Sequence, residues 1–176
     1  MVTAAATATG VGVGVSQPAG EAVEIEPGSR ISHPNVVSVL NYGETPSGTP
    51  FLVTQMVQGR LLADLIQDEA PLRIPHAVRL FREICRGVQA IHDGGVLHRD
   101  LTSANIMLCG QLGREVPMIL TSGIAILAGE GPVDRLTSSC HVVGTPTHIA
   151  PERITSNTVD FRADLFSLGI VFYRML

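Results

Sequence analysis

The sequence predicts an α+β fold, because two extended runs come first, a long amphipathic helix follows, and a nearly all-apolar helix comes last. Strands gathered in one part and helices in another give segregated layers, not the parallel sheet of alternating units. Val36–Tyr42 and Pro50–Val57 are rich in β-branched residues and flank Glu44-Thr45-Pro46-Ser47-Gly48-Thr49, so they read as a hairpin. Leu61, Leu62, Leu65 and Ile66 mark one face of a short amphipathic helix. Residues Pro75 to His92 carry the strongest period, with Ala77, Phe81, Ile84, Val88 and Ile91 recurring every three or four positions. Pro75 suits a helix start, and Gly94-Gly95 lie beyond its end. Ile106-Met107-Leu108 and Met118-Ile119-Leu120 read as two strands joined by the Gly110–Pro117 loop, which sets Asp100 and Thr121 at opposite ends of one hairpin. Asp164–Leu176 is apolar nearly all round, as in a helix covered from several sides.

Composition narrows the function. A length of 176 residues suits one domain, and 45% hydrophobic residues with a mean hydropathy of +0.29 fit a buried interior. No run approaches the 18 or so apolar residues of a membrane span. The net charge of -4 offers no basic footprint for nucleic acid and is too small to imply a basic partner. Residues 1 to 19 have no Lys or Arg and make a poor signal peptide, so a cytoplasmic location is expected. The three cysteines, Cys85, Cys109 and Cys140, are odd in number and widely spaced, which argues against a disulfide framework or zinc site. Cys140-His141 does not form a nucleophilic pair, since adjacent residues on an extended segment point in opposite directions. No Gly-x-Ser-x-Gly elbow supports a hydrolase.

One octet carries chemistry. His98-Arg99-Asp100-Leu101-Thr102-Ser103-Ala104-Asn105 sets an Asp and an Asn five positions apart just after the long helix, a spacing that holds a general base beside a metal ligand. The octet resembles the catalytic loop of protein kinases. Other blocks follow the order of that family. His33-Pro34-Asn35-Val36-Val37 looks like the segment after its αC helix, and Phe51–Gly59 like the strand running into the hinge. Gly144-Thr145-Pro146-Thr147-His148-Ile149-Ala150-Pro151-Glu152 is similar to the end of an activation segment, and Asp164-Leu165-Phe166-Ser167-Leu168-Gly169 to the start of helix αF. The Gly-Thr-Pro start and the Ala-Asp-Leu-Phe-Ser-Leu-Gly run are closest to bacterial-type Ser/Thr kinases.

The resemblance implies a protein-kinase-like fold with a partial small β lobe and an incomplete helical large lobe. Residues 1–20 would be a flexible tail, 21–60 a remnant of the small lobe and hinge, and 61–176 a partial large lobe ending at helix αF. It implies ATP and Mg²⁺ as cofactors and transfer of the γ-phosphoryl group to protein Ser or Thr. In that scheme Asp100 is the base and Asn105 holds Mg²⁺. Arg99 faces a phosphorylated or acidic group on the activation segment, with Thr137, Ser138 and Ser139 as acceptors. Thr54 lies at the depth of the adenine pocket, and the backbones of Gln55 and Val57 read the base. Thr145 and Glu152 belong to the activation segment, Glu152 pairing in the family with an Arg beyond αF. Asp164 and His98 brace the loop.

The departures are electrostatic, and phosphoryl transfer depends on positioning and charge neutralisation. Thr121-Ser122-Gly123, followed by Ile124-Ala125, stands where the family has Asp-Phe-Gly, and a neutral hydroxyl is a poor main anchor for Mg²⁺. All 12 Lys+Arg residues are Arg, so the lysine that pairs with nucleotide phosphates is absent, and Arg is no equivalent. Thr102 replaces a second Lys of Ser/Thr kinases. Gly10-Val11-Gly12-Val13-Gly14-Val15 mimics a phosphate loop, yet Glu24, where the αC glutamate would lie, is too near for the strands between, and Pro27-Gly28 would break that helix. By this reading the family's front strands and everything after αF are missing, ATP binds weakly or not at all, and catalysis is impaired in the isolated chain. The alternative is a pseudokinase fragment without catalysis, an interaction module or without independent function. Expected partners are a protein substrate or partner protein, with self-association through an exposed helix αF, and neither nucleic acid nor membrane span.

Overall fold

The computed structural model describes residues 31–45, 50–111, 113–120, 148–155 and 160–176, together with 4–5 and 22–23. Two antiparallel sheets and four helices make up the described part. Strands β1 (Ala4–Ala5), β2 (Ala22–Val23), β3 (Val39–Glu44) and β4 (Pro50–Thr54) form one sheet in the order β1-β4-β3-β2. Strands β5 (Arg60–Leu61), β6 (Ile106–Cys109) and β7 (Val116–Ile119) form the second, in the order β5-β6-β7. The helices are α1 (Leu62–Glu69), α2 (Ile74–Asp93), α3 (Glu152–Thr155) and α4 (Arg162–Met175), and a 3₁₀ turn spans Ser103–Asn105.

The first hairpin forms as expected, with Tyr42 opposite Leu52 and Gly43 opposite Phe51, but it starts three residues later than the sequence suggests. Val36 and Val37 are withdrawn from it. The Val37 N–H donates to the Ile119 carbonyl at 2.9 Å, and the Ile119 N–H to the Asn35 carbonyl at 2.8 Å, so this stretch docks on the second sheet. Both valines are buried there. The other end also moves, since β4 stops at Thr54 and Gln55 turns its N–H to the Ser38 carbonyl. Within the segment read as a tail, Ala4 and Ala5 pair with Val53 and Leu52 on the open edge of β4, whose backbone groups want partners. The Gly10–Val15 run, Glu24 and Pro27-Gly28 lie outside the described residues.

Helix α2 is the frame of the larger part. Its buried face runs through Ala77, Leu80, Ile84, Gly87, Val88 and Ile91, with Pro75 in its first turn and Gly94 at its end. Fully burying a leucine such as Leu80 contributes about 1.5–3 kcal/mol. Phe81 lies half-buried at the border of that face and stacks on Phe172 of α4, ring centroids 4.3 Å apart. Gly87 is required where the chain passes: a Cβ there would stand 2.8 Å from the Asn35 carbonyl oxygen. The near end of α2 is tied to the second hairpin by Arg79, which donates to the buried Glu115 carboxylate and to its carbonyl, both at 2.8 Å.

Antiparallel pairing of Ile106 with Ile119 brings the two chain ends of the β6–β7 hairpin side by side, and the Leu120 N–H donates to the Asn105 carbonyl at 2.8 Å. One expectation is corrected here: the last helix, nearly all apolar in sequence, is not covered from several sides but buries a single face, which carries Ala163, Asp164, Ser167, Leu168, Val171 and Met175. Leu165, Phe166 and Tyr173 are exposed, because among the described residues α2 and the loop after it supply the cover.

Candidate active site

The octet begins where α2 ends. Asp164, from the first turn of α4, reaches across to it with both carboxylate oxygens: Oδ2 accepts the His98 N–H at 2.8 Å and Oδ1 the Arg99 N–H at 2.9 Å. The His92 Nε2 also lies 2.8 Å from Oδ2, so it donates there. Asp164 is 2% exposed, and three donors satisfy a charge that burial alone would penalise heavily. His98 is fully buried and its Nε2 stands 3.0 Å from the Leu120 carbonyl. Burial pushes the His98 imidazole below its ordinary value, against the pull of the Leu120 carbonyl and Asp164, so the ring is neutral and carries its proton on Nε2.

These contacts fix an unusual turn. The Asp100 N–H donates back to the His98 carbonyl at 2.8 Å, and Arg99 between them takes φ 64°, a left-handed conformation costing about 1–3 kcal/mol in a residue other than glycine. Asp164 holds its N–H side, and Arg153 of α3 donates from Nη1 to the Arg99 carbonyl. The turn carries Asp100 to Asn105, whose Nδ2 donates to the Asp100 carbonyl at 2.7 Å and to Oδ2 at 2.9 Å. The Asn105 amide nitrogen thus engages the backbone and one carboxylate oxygen of Asp100, with the other carboxylate oxygen and the Asn105 Oδ1 outside these two contacts. The 3₁₀ turn, closed by the Asn105 N–H on the Thr102 carbonyl at 3.0 Å, provides the spacing. Thr102, at a position where the sequence lacks a lysine, is buried.

His98, Arg99, Asp100, Asn105 and Asp164 are thus brought together. Glu152 opens α3, one residue from Arg153. Thr54 ends β4, Gln55 is exposed and Val57 half-buried, and among the described residues no hydrogen bond or ion pair joins them to the loop. The Gln55 N–H donates to the Ser38 carbonyl at 2.8 Å. Thr145, Thr121–Ala125, Thr137–Ser139 and Cys140-His141 lie outside the described residues. Cys85 and Cys109 are free thiols, and burial pushes both above the ordinary value, away from reactivity.

Sequence reasoning missed His92, Arg153 and Ser167. His92 was read only as a helix end, and Arg153 follows a motif without belonging to it. Ser167 carried a signal, a hydroxyl inside an apolar helix: its Oγ donates to the His148 carbonyl at 2.8 Å and the Ala163 carbonyl at 3.1 Å. A recess opens here, lined by Arg99, Asp100, Thr102, His148, Arg153 and Ser167.

Comparison with known proteins agrees with this geometry. Residues 16–176 match the protein kinase domain. The Ser/Thr-protein kinase pkn3 of Myxococcus xanthus is 33% identical over 159 residues, covering 87% of this chain and 28% of its own length. The Ser/Thr-protein kinase PknB of Mycobacterium tuberculosis is 32% identical over 157 residues, covering 87% of this chain and 24% of its own length. The chain therefore spans about a quarter of the curated relatives it matches.

Proposed function

The chain belongs to the protein kinase family, of bacterial Ser/Thr type, and from that premise we propose that it carries an assembled phosphate-transfer loop without the charges that handle the nucleotide. In this reading Asp100 accepts the proton of a Ser or Thr hydroxyl on a protein substrate, and Asn105 aligns it through the amide bonds to its carboxylate and carbonyl. Asp164, with His98, braces the loop, and Arg99 presents its guanidinium to the activation segment.

The family uses ATP and Mg²⁺, and the donor set here does not fit them. Mg²⁺ asks for near-octahedral hard oxygens, usually including carboxylates. The loop offers an amide oxygen and one carboxylate already shared with Asn105, and among the described residues no group of three or more His, Cys, Asp or Glu is placed to hold a metal ion. The observation that carries the reading is the absence of lysine from all 176 residues, which no rearrangement of the chain repairs. Phosphate transfer by the isolated chain is accordingly weak or absent, and a non-catalytic, pseudokinase role as a partner-binding module is the second reading. The exposed Leu165, Phe166 and Tyr173 of α4 favour it as a surface for self-association. No helix among the described residues is long and apolar enough to cross a membrane. The reading includes a cytoplasmic location, where free thiols persist.

Radiolabel transfer to a protein acceptor, with wild type and Asp100→Ala, tests the reading. Equal, near-background signal is expected. Robust labelling that Asp100→Ala abolishes would overturn it. Thermal unfolding with Mg²⁺-ATP is the independent arm, since a ligand at a hundred times its Kd adds about 2.7 kcal/mol of stability.

A further inference from the structure

Strand β7 leads into a dipeptide whose main chain is shared between two neighbours. The Ile119 N–H donates to the Asn35 carbonyl at 2.8 Å, and the Ile119 carbonyl accepts the Val37 N–H at 2.9 Å. The next residue serves the loop. The Leu120 N–H donates to the Asn105 carbonyl at 2.8 Å, and the Leu120 carbonyl stands 3.0 Å from the His98 Nε2. All four backbone groups of Ile119-Leu120 are thus engaged, those of Ile119 by the 31–37 segment and those of Leu120 by the loop. Asn35 adds a second hold on the strand, its Nδ2 donating to the Pro117 carbonyl at 2.8 Å, a buried bond between residues 82 apart. Asn35 is itself held, its N–H donating to the His33 Nδ1 at 3.1 Å. Asn35, Ile119 and His98 are each 1% exposed or less.

We propose that Asn35 is a positioning residue for the loop: by clamping β7 at Pro117 and Ile119 it fixes where Leu120 holds the Asn105 backbone and the His98 ring. The proposal rests on the reading of the His98–Asn105 loop as the site. Ile119 cannot shift while Leu120 stays, because a planar peptide joins them and keeps their Cα atoms about 3.8 Å apart. A displacement of Asn35 is therefore felt at Asn105, the residue that bonds the Asp100 carboxylate. Burial enforces the coupling, since an N–H that loses its acceptor inside the core has no water to turn to. The geometry also gives a place from which the clamp can be pushed. A Cβ at Gly87 of α2 would stand 2.8 Å from the Asn35 carbonyl oxygen and 2.8 Å from the Ile119 Cδ1.

A purely structural Asn35 would support the fold as a whole, and its loss would loosen every buried amide alike. Amide exchange followed by NMR on the full chain without nucleotide separates the two roles, in wild type, Asn35→Ala, Gly87→Ala and Arg79→Gln. Arg79 ties the opposite end of the same hairpin at Glu115, so its variant is the control. In Asn35→Ala and Gly87→Ala the Leu120 N–H is expected to exchange roughly tenfold faster relative to the buried Leu80 of α2, the scale of one weakened hydrogen bond. The Asn105 side-chain amide and His98 ring N–H resonances shift with it. Arg79→Gln leaves that ratio and those resonances in place. Equal acceleration of Leu120 and Leu80 in the two clamp variants overturns the proposal, as does an Arg79→Gln variant that disturbs the loop as much. Should neither clamp variant fold, exchange of the wild type in sub-denaturing urea decides. Ile119 and Leu120 N–H groups that open as one unit support the clamp, and an Ile119 N–H that opens while Leu120 stays protected overturns it. No arm uses nucleotide, so failure of the phosphate-transfer reading leaves the exchange result standing, and a failed clamp says nothing against Asp100 as the base.

Discussion

The His98–Asn105 loop and the β3–β4 hairpin, with the hinge proposed at its end, are built on opposite principles. Around the loop, a side chain 66 residues away supplies the order: Asp164 bonds the backbone of His98 and Arg99, and Arg153 closes on the Arg99 carbonyl. The β3–β4 hairpin is held by backbone ladders between neighbours in sequence, and Gln55 is fastened by its own N–H to Ser38. A site fixed by one distant side chain is precise and fragile. A site fixed by main chain tolerates almost any residue.

The sharpest way to break that contrast is Asp164→Ala. It strands the buried N–H groups of His98 and Arg99 and removes the partner of His92. Losing the acceptor of a buried, charge-assisted network costs about 3–5 kcal/mol. Against a typical total of about 5–15 kcal/mol, urea unfolding should show a markedly earlier midpoint or no folded baseline. A loss under about 1 kcal/mol would mean that the brace is decoration.

Next in size is Gly59→Ala, at the seam between the two regions. A Cβ at Gly59 would stand 2.2 Å from the Leu108 carbonyl oxygen, a backbone atom that cannot swing aside. The strand pair Arg60–Leu108 must then separate, at a cost of about 1–3 kcal/mol by chemical denaturation. If Gly59→Ala is neutral, hinge and loop are less tightly joined than the geometry indicates.

Acid acts in separate windows on the loop and on the tie between α2 and the β6–β7 hairpin. His98 is neutral and buried under the loop, and its folded value lies below the 6.5 of an ordinary imidazole. The unfolded chain therefore binds a proton that the folded chain refuses, so stability is fully present above pH 6.5 and falls as the pH drops below that value. Glu115 acts in a lower window. Burial works upward on its carboxyl, but the Gly113 and Glu115 N–H groups, Arg79 and His76 outweigh it and hold the group below its ordinary value. Its contribution is lost only in stronger acid, as the pH falls through the carboxylate range. Unfolding midpoints measured from pH 7.5 downward should thus decline in two stages, and His98→Asn should reduce the first, leaving the share of the buried His148, which burial also pushes below its ordinary value.

The same division explains what was legible in the sequence. Periodicity located α2 to within a residue at either end, because Ala77, Ile84, Val88 and Ile91 are in the core and Pro75 and Gly94 bound it. The octet was legible because its chemistry lies in consecutive residues. Its geometry was not: nothing local indicates that Arg99 takes a positive φ, since the cause lies on α3 and α4. Val36 and Val37 misled for a similar reason, a β-rich composition drawn into a different sheet by Ile119. The all-round apolarity of α4 hid a real division between a face that holds the loop and one open to water.

The smallest expected effect tests the other half of the contrast. Gln55→Ala removes an exposed side chain from the hinge while keeping the N–H that donates to Ser38 at 2.8 Å. Surface substitutions away from special features stay within about 0.5 kcal/mol, so the unfolding midpoint should not move. Any response to an adenine nucleotide should also be unchanged, since recognition there would use the Gln55 carbonyl and the Val57 backbone, which alanine leaves in place. A variant that loses stability or a nucleotide response would show that the hinge, like the loop, depends on side-chain identity.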